Sequence, residues 1–182
     1  MSETPFGRRL RTVTGIAESG AYRVLRAADP DGPKPQPGQF AMLSTAERWA
    51  GSTEERPLLP RAFSVARWHG DGAAGTGGGE SHFLLEDVGP GTKRLCELNA
   101  GDGLWVLGPL GQGFIAPAED RRAILVGGGV GIAPLAILQD ELLARATHAQ
   151  TPQTSPTVLL GFRDAPRAQG ASLLREIGRA HV

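Results

Sequence analysis

The chain has 182 residues, 40% of them hydrophobic, with 19 basic side chains against 19 acidic ones and a single cysteine. That is enough for one large packed domain or two small ones, and the even charge balance argues against nucleic acid or an acidic membrane surface as the main partner. One thiol excludes an internal disulfide and an iron–sulfur cluster held by this chain alone. With no apolar run of transmembrane length and no signal-peptide pattern, a cytoplasmic setting away from membranes is expected.

In chain order, a polar start, MSETPFGRRLR, precedes six short runs rich in β-branched, aromatic and leucine residues: TVTGIA, AYRVLRA, GQFAMLS, RAFSVARW, SHFLLEDV and DGLWVLG. Gly- and Pro-rich connections separate them, among them DPDGPKPQPG, TAERWAGSTEERPLLP and GDGAAGTGGGES. Short strands with frequent turns predict a closed antiparallel β-barrel, with KRLCEL as a short helix before the sixth strand. From about residue 120 the pattern changes. AILVGGG lacks alternation, as a parallel strand buried on both faces would. APLAILQDELLARA follows as a helix, with Leu135, Leu138 and Leu142 on its buried face and Gln139 and Asp140 off it. After the loop THAQTPQTSP comes a second apolar strand, TVLLGF. Strand–helix–strand predicts a parallel α/β unit. A boundary near Pro117–Asp120 divides the chain into a barrel domain, 1–118, and the first part of a nucleotide-binding α/β domain, 119–175.

Three stretches carry chemistry. GGGVGIAP, Gly127 to Pro134, joins a strand to a helix, whose first N–H groups and positive dipole end can hold a phosphate. Pro134 suits the first helical turn. The stretch lacks the third glycine of the common dinucleotide fingerprint, so a plain structural connection also fits. In LPRAFSV, Ala62, Ser64 and Ala66 share one strand face, small and carrying a hydroxyl, while Phe63 and Val65 share the other. The first face suits a flat ring, and Arg61 could fork onto a pyrophosphate; an ordinary strand with an exposed arginine fits equally. In LLEDVGPGTKRLCEL, Gly89 and Gly91 bracket a turn and Thr92 can cap the next helix, either for an anion or simply as a cap. Cys96 reads as a half-buried apolar residue rather than a nucleophile. His69, His82, His148 and His181 are scattered and are expected to be solvated or structural. No catalytic acid or base and no metal-ligand set is expected.

The order of these motifs resembles one family. PGQF stands at Pro37–Phe40, RAFS at Arg61–Ser64, GPGT at Gly89–Thr92, GPLGQGF at Gly108–Phe114 and GGGVGIAP at Gly127–Pro134. Together they resemble the FAD-binding, ferredoxin-reductase-type proteins, and within them the electron-transfer subunits of dihydroorotate dehydrogenase B, over residues 10–175. The resemblance implies an antiparallel FAD-binding barrel followed by a parallel-sheet NAD-binding domain. It implies that Arg61 holds the FAD pyrophosphate and that Ser64, within the segment with Ala62 and Phe63, bonds the flavin near N5. Leu84, Leu85 and Glu86 would run beside the adenylate part, and Gly91 and Thr92 would bind phosphate. Gly127, Gly128, Gly129 and Gly131 would border the nicotinamide dinucleotide. Two positions depart from the pattern: Ala62 where proline is frequent, and Glu86 where a neutral or basic residue is commoner.

The implied activity is electron transfer between NAD(H), FAD and a 2Fe–2S cluster, to or from a catalytic dihydroorotate dehydrogenase subunit in pyrimidine biosynthesis. The cluster ligands are expected in a cysteine-rich C-terminal segment of the full-length protein. A general ferredoxin or flavodoxin reductase, a hydrogenase diaphorase subunit and a non-catalytic binding barrel are the alternatives. The final EIGRAHV matches the translation of a widely used sequencing adaptor running into a stop codon. Residues 176–182 are therefore expected to be a non-native tail.

Overall fold

The computed structural model describes residues 7–49, 59–70, 79–115, 117–118, 121–148 and 155–175. The expectations for the first six residues, much of the longer loops, Asp120, His181 and the 176–182 tail lie outside them. Six strands form the first part: β1 (Arg9–Ser19), β2 (Tyr22–Ala28), β3 (Phe40–Thr45), β4 (Arg61–His69), β5 (Glu80–Glu86) and β6 (Gly103–Leu110). They close into an antiparallel barrel of order β1-β2-β5-β4-β3-β6. Alternation along the strands turns Val13, Leu25, Leu43, Val65, Phe83, Leu85, Leu104 and Val106 inward as one core. The helix α1 (Pro90–Cys96) adds Leu95 to that core, and Leu98 just beyond it joins too.

One irregularity shapes the rest. The β4–β5 register shifts between Val65 and Arg67, so β4 carries one extra residue there. Phe63 and Val65 face the barrel core, as does Trp68 after the shift. Ala66 and Arg67 both turn outward instead: Ala66 joins a second cluster with Tyr22, Leu84, Ile132, Ala133 and Ala136. Arg67, only 3% exposed, donates to the Leu173 carbonyl and pairs with Asp140 at 3.6 Å.

That second cluster seats the α/β part on the barrel. It contains β7 (Ile124–Gly128), a 3-10 turn (Gly129–Ile132), α2 (Ala133–His148), β8 (Thr157–Gly161), α3 (Ala165–Ala168) and α4 (Ser172–Arg175). β7 and β8 pair in parallel. Two expectations need correction here. α2 lies between the barrel and this sheet, so its buried side is wider than a leucine stripe: Ala133, Ala136, Ile137 and Gln139 are all buried, and Asp140 meets Arg67. β7 is not buried on both faces. Leu125 is covered, whereas Ile124 and Val126 are 62% and 69% exposed, because α2 packs against one side only. No helix among the described residues is long and apolar enough to cross a membrane.

Candidate functional site

The motifs converge through β4. At its start, Arg61 lies against the first turn of α1. A Cβ built on Gly91 would stand 2.7 Å from Arg61 Nε and 3.1 Å from Cζ, so any larger residue would push the guanidinium out of this position. Arg61 Nη1 donates to the Leu59 carbonyl at 2.6 Å, leaving other N–H groups of the fork available. Gly89 precedes α1 and Pro90 opens it, so Gly91 and Thr92 occupy the second and third helical positions, whose amides have no acceptor within the helix. Thr92 is thus not the cap that its sequence position suggested. Its Oγ1 sits inside the first turn, accepts from the amides of Val88 and Gly89 at 2.9 and 3.0 Å, and locks the GPGT turn.

Ser64 follows Arg61 by three residues and pairs with Phe40 of β3. Its surroundings are fixed by the two glycine-rich motifs, which bind each other. The Phe114 amide donates to the Pro37 carbonyl at 2.7 Å, Gln39 Nε2 donates to the Gly111 carbonyl at 2.9 Å, and the Val65 amide donates to the Gln39 carbonyl at 3.0 Å. PGQF and GPLGQGF therefore brace the strand that carries RAFS. Ala62 is exposed, Ser64 is half-buried, and both lie on the outward face.

Along that same face, two residues and about 7 Å beyond Ser64, Ala66 packs with Ile132 and Ala133 at the start of α2. The glycine turn is thus delivered next to the face that bears Ser64. Gly128 approaches β8 so closely that a Cβ would stand 2.4 Å from the Gly161 carbonyl oxygen, and a Cβ on Gly127 would meet Leu135 at 2.5 Å. Gly129 takes a positive φ of 56°, whereas Gly131 faces open space with no neighbour to exclude a side chain.

Leu84, Leu85 and Glu86 are placed differently from one another. Leu85 points into the barrel core and Leu84 into the cluster under α2, so only their backbone is available to a ligand. Glu86 is engaged by Arg167 of α3, whose Nε donates to it at 2.8 Å. That partner is 81 residues away in sequence, and nothing in the local pattern announces it. His69 and His82, scattered in sequence, stand side by side on β4 and β5 with ring centroids 4.7 Å apart.

These residues fit a flavin dinucleotide by the chemistry of their donors. A guanidinium lies against the start of a helix whose second and third amides have no acceptor within it, in a cradle that a Cβ on Gly91 would fill, and the adjoining face is small and carries a hydroxyl.

No protein-family model matches the chain. It is similar to the protein named dihydroorotate dehydrogenase B (NAD(+)), electron transfer subunit, of Geobacillus kaustophilus, at 40% identity over 150 residues, 81% of this chain and 51% of that protein. The protein of the same name from Caldanaerobacter subterraneus is 36% identical over 132 residues, 72% of this chain and 43% of its own length. The chain spans about half the length of the curated relatives it matches. In fold it is similar to the ferredoxin reductase of carbazole 1,9a-dioxygenase, with a TM-score of 0.65 at 20% identity, over 88% of this chain and 44% of that one. Phthalate dioxygenase reductase gives a TM-score of 0.59 at 16% identity, over 86% and 43%. The barrel, the parallel pair behind it and these likenesses together give this chain the ferredoxin-reductase-like fold and make it a homologue of the electron-transfer subunits of dihydroorotate dehydrogenase B over about half their length.

Proposed function

We propose that the chain is part of an electron-transfer flavoprotein. It would hold FAD along the outer face of β4, meet NAD(H) at the Gly127–Gly131 turn, and pass electrons to or from a catalytic dihydroorotate dehydrogenase subunit. One observation carries this reading: β4 alone links an arginine at the start of α1, a hydroxyl on a small open face, and the start of α2. Residues 1–118 are read as the flavin part and 119–175 as the nicotinamide side.

FAD, when bound, supplies the exchange between a two-electron hydride and single electrons. The chain's own work is positional. Arg61 and the amides of Gly91 and Thr92 would neutralise the pyrophosphate, and Ser64 would fix the ring edge by a hydrogen bond. The α2 dipole would draw the second dinucleotide towards the same face, in the close approach of about 3–3.5 Å that hydride transfer needs. Cys96 is the only cysteine, so the 2Fe–2S cluster of the proposed electron path is held by residues outside this chain.

The test is to purify the chain, add FAD and record the visible spectrum of the protein-bound fraction. Flavin bands should co-purify with the chain. Arg61→Ala should weaken FAD binding about 10- to 100-fold, the loss of a charge-assisted contact of roughly 1.5–3 kcal/mol. Ser64→Ala should weaken it less and shift the flavin spectrum. A chain that retains no flavin, or one whose retention is indifferent to Arg61, overturns the reading in favour of a non-catalytic barrel.

A further inference from the structure

The outer face of the barrel carries a second group of polar side chains that the proposed flavin site does not use. His69 ends β4 and pairs across the rung with Glu80, the first residue of β5; His82 follows two residues later on the same face. Pairing and the two-residue strand period bring all three together without any special loop. One ligating atom from each lies within 4.8 Å of the others. His82 Nε2 is 2.7 Å from Glu80 Oε1. The second carboxylate oxygen of Glu80 accepts from the Thr14 hydroxyl of β1, which fixes the carboxylate's orientation from behind. His82 and Glu80 are half-buried, and His69 opens to solvent.

We propose that His69, Glu80 and His82 form a binding site for a divalent transition-metal ion of the zinc class. Two imidazoles and one carboxylate are a recognised ligand set for zinc, at about 2.0–2.2 Å per bond. Ligands at those distances around a tetrahedral ion lie roughly 3.3–3.6 Å apart, so closing the site asks for side-chain rotations of about an ångström and no movement of the strands. Thr14 supplies the outer hydrogen bond that orients a ligating carboxylate. The fourth position faces solvent. The ion would displace the His82–Glu80 contact and join the end of β4 to the start of β5, stapling the two strands where their connection leaves the barrel. Arg26 of β2 pairs with His82 in register and Arg67 faces it from β4, the latter held by Asp140. Their charge opposes a cation, so affinity should be micromolar rather than nanomolar.

The experiment is titration of the full chain with zinc chloride in a non-chelating buffer at pH 7.5, followed by calorimetry and thermal unfolding, and repeated with cobalt(II) to read ligand geometry from its visible bands. One equivalent should bind with a micromolar Kd, raise the unfolding temperature and give the intense bands of tetrahedral cobalt. His69→Ala and His82→Ala should each weaken binding at least tenfold. Glu80→Gln, which keeps a hydrogen-bonding side chain opposite Thr14, should do the same with little effect on folding. No binding at 100-fold excess zinc, or binding unchanged in the His69→Ala/His82→Ala double variant, overturns the proposal. So does cobalt bound without tetrahedral bands.

Discussion

At the scale of single residues, burial decides which polar groups react. The Cys96 thiol is pushed up to about 11 by burial first and by the nearby Asp87 carboxylate second. Against a usual value of 9.0, that leaves about 100-fold less thiolate near neutral pH. Alkylation of the native chain at pH 8 should therefore run on the order of 100-fold slower than in denaturant, and recover only as pH approaches 11; equal rates would contradict the placement. The sign for stability follows. The folded state favours the protonated thiol, so this contribution is complete below pH 9 and fades as pH rises towards 11. Tyr22 presents the opposite case. Its ring is fully buried against Gly170, and its hydroxyl has no hydrogen-bond partner among the described residues. Tyr22→Phe should stabilise the chain by about 1 kcal/mol, read as a rise of about 3 °C in unfolding temperature. A fall would mean that the hydroxyl has a partner in solution.

At the scale of elements, the six barrel strands were legible because alternation and Gly/Pro punctuation are local signals. What stayed hidden depends on pairing. The extra residue at Ala66 changes which side chains face out, yet RAFSVARW reads as an unbroken strand. Arg67 looks like a surface residue until the helix carrying Asp140 is laid over it. α3 and α4, four residues each, are too short to show a helical period. His69 joins Glu80 and His82 only through strand register. Of the candidate site, Arg61, Ser64 and the glycine turns were readable from motif order, whereas the Glu86–Arg167 contact was not. The glycine turn offers a test of its own. Gly128→Ala would drive a Cβ onto the Gly161 carbonyl oxygen and should cost at least about 2 kcal/mol by urea unfolding. Gly131→Ala meets open space and should stay within about 0.5 kcal/mol. Equal losses at the two sites would show that β7 and β8 do not approach as closely as described.

At the scale of the whole molecule, α2 is the joint between the barrel and the parallel pair. Its apolar contacts combine Ala133, Leu135 and Ala136 in the second cluster with Ile137 in the barrel core, and a polar anchor is Asp140 on the buried Arg67. Asp140→Ala removes a carboxylate from beside that buried guanidinium, which keeps its bond to the Leu173 carbonyl. The expected cost is about 2–3 kcal/mol, accompanied by faster proteolytic cleavage within the α/β part while the barrel core stays resistant. Protection and unfolding temperature indistinguishable from the parent chain would show that apolar packing alone holds the joint.

The extra residue in β4 has a consequence for how such a chain can diverge. Most outward positions of the barrel should accept a change of side chain, but β4 should not accept a change of length. Deleting Ala66 would leave Arg67 facing out and Trp68 facing in, but it would remove the outward residue on which Ile132 and Ala133 pack and draw Arg67 about 3.3 Å towards Ser64, away from Asp140 and the Leu173 carbonyl. The segment between Ser64 and His69 is therefore one where substitutions can drift while insertions and deletions are purged, a constraint on spacing rather than on identity.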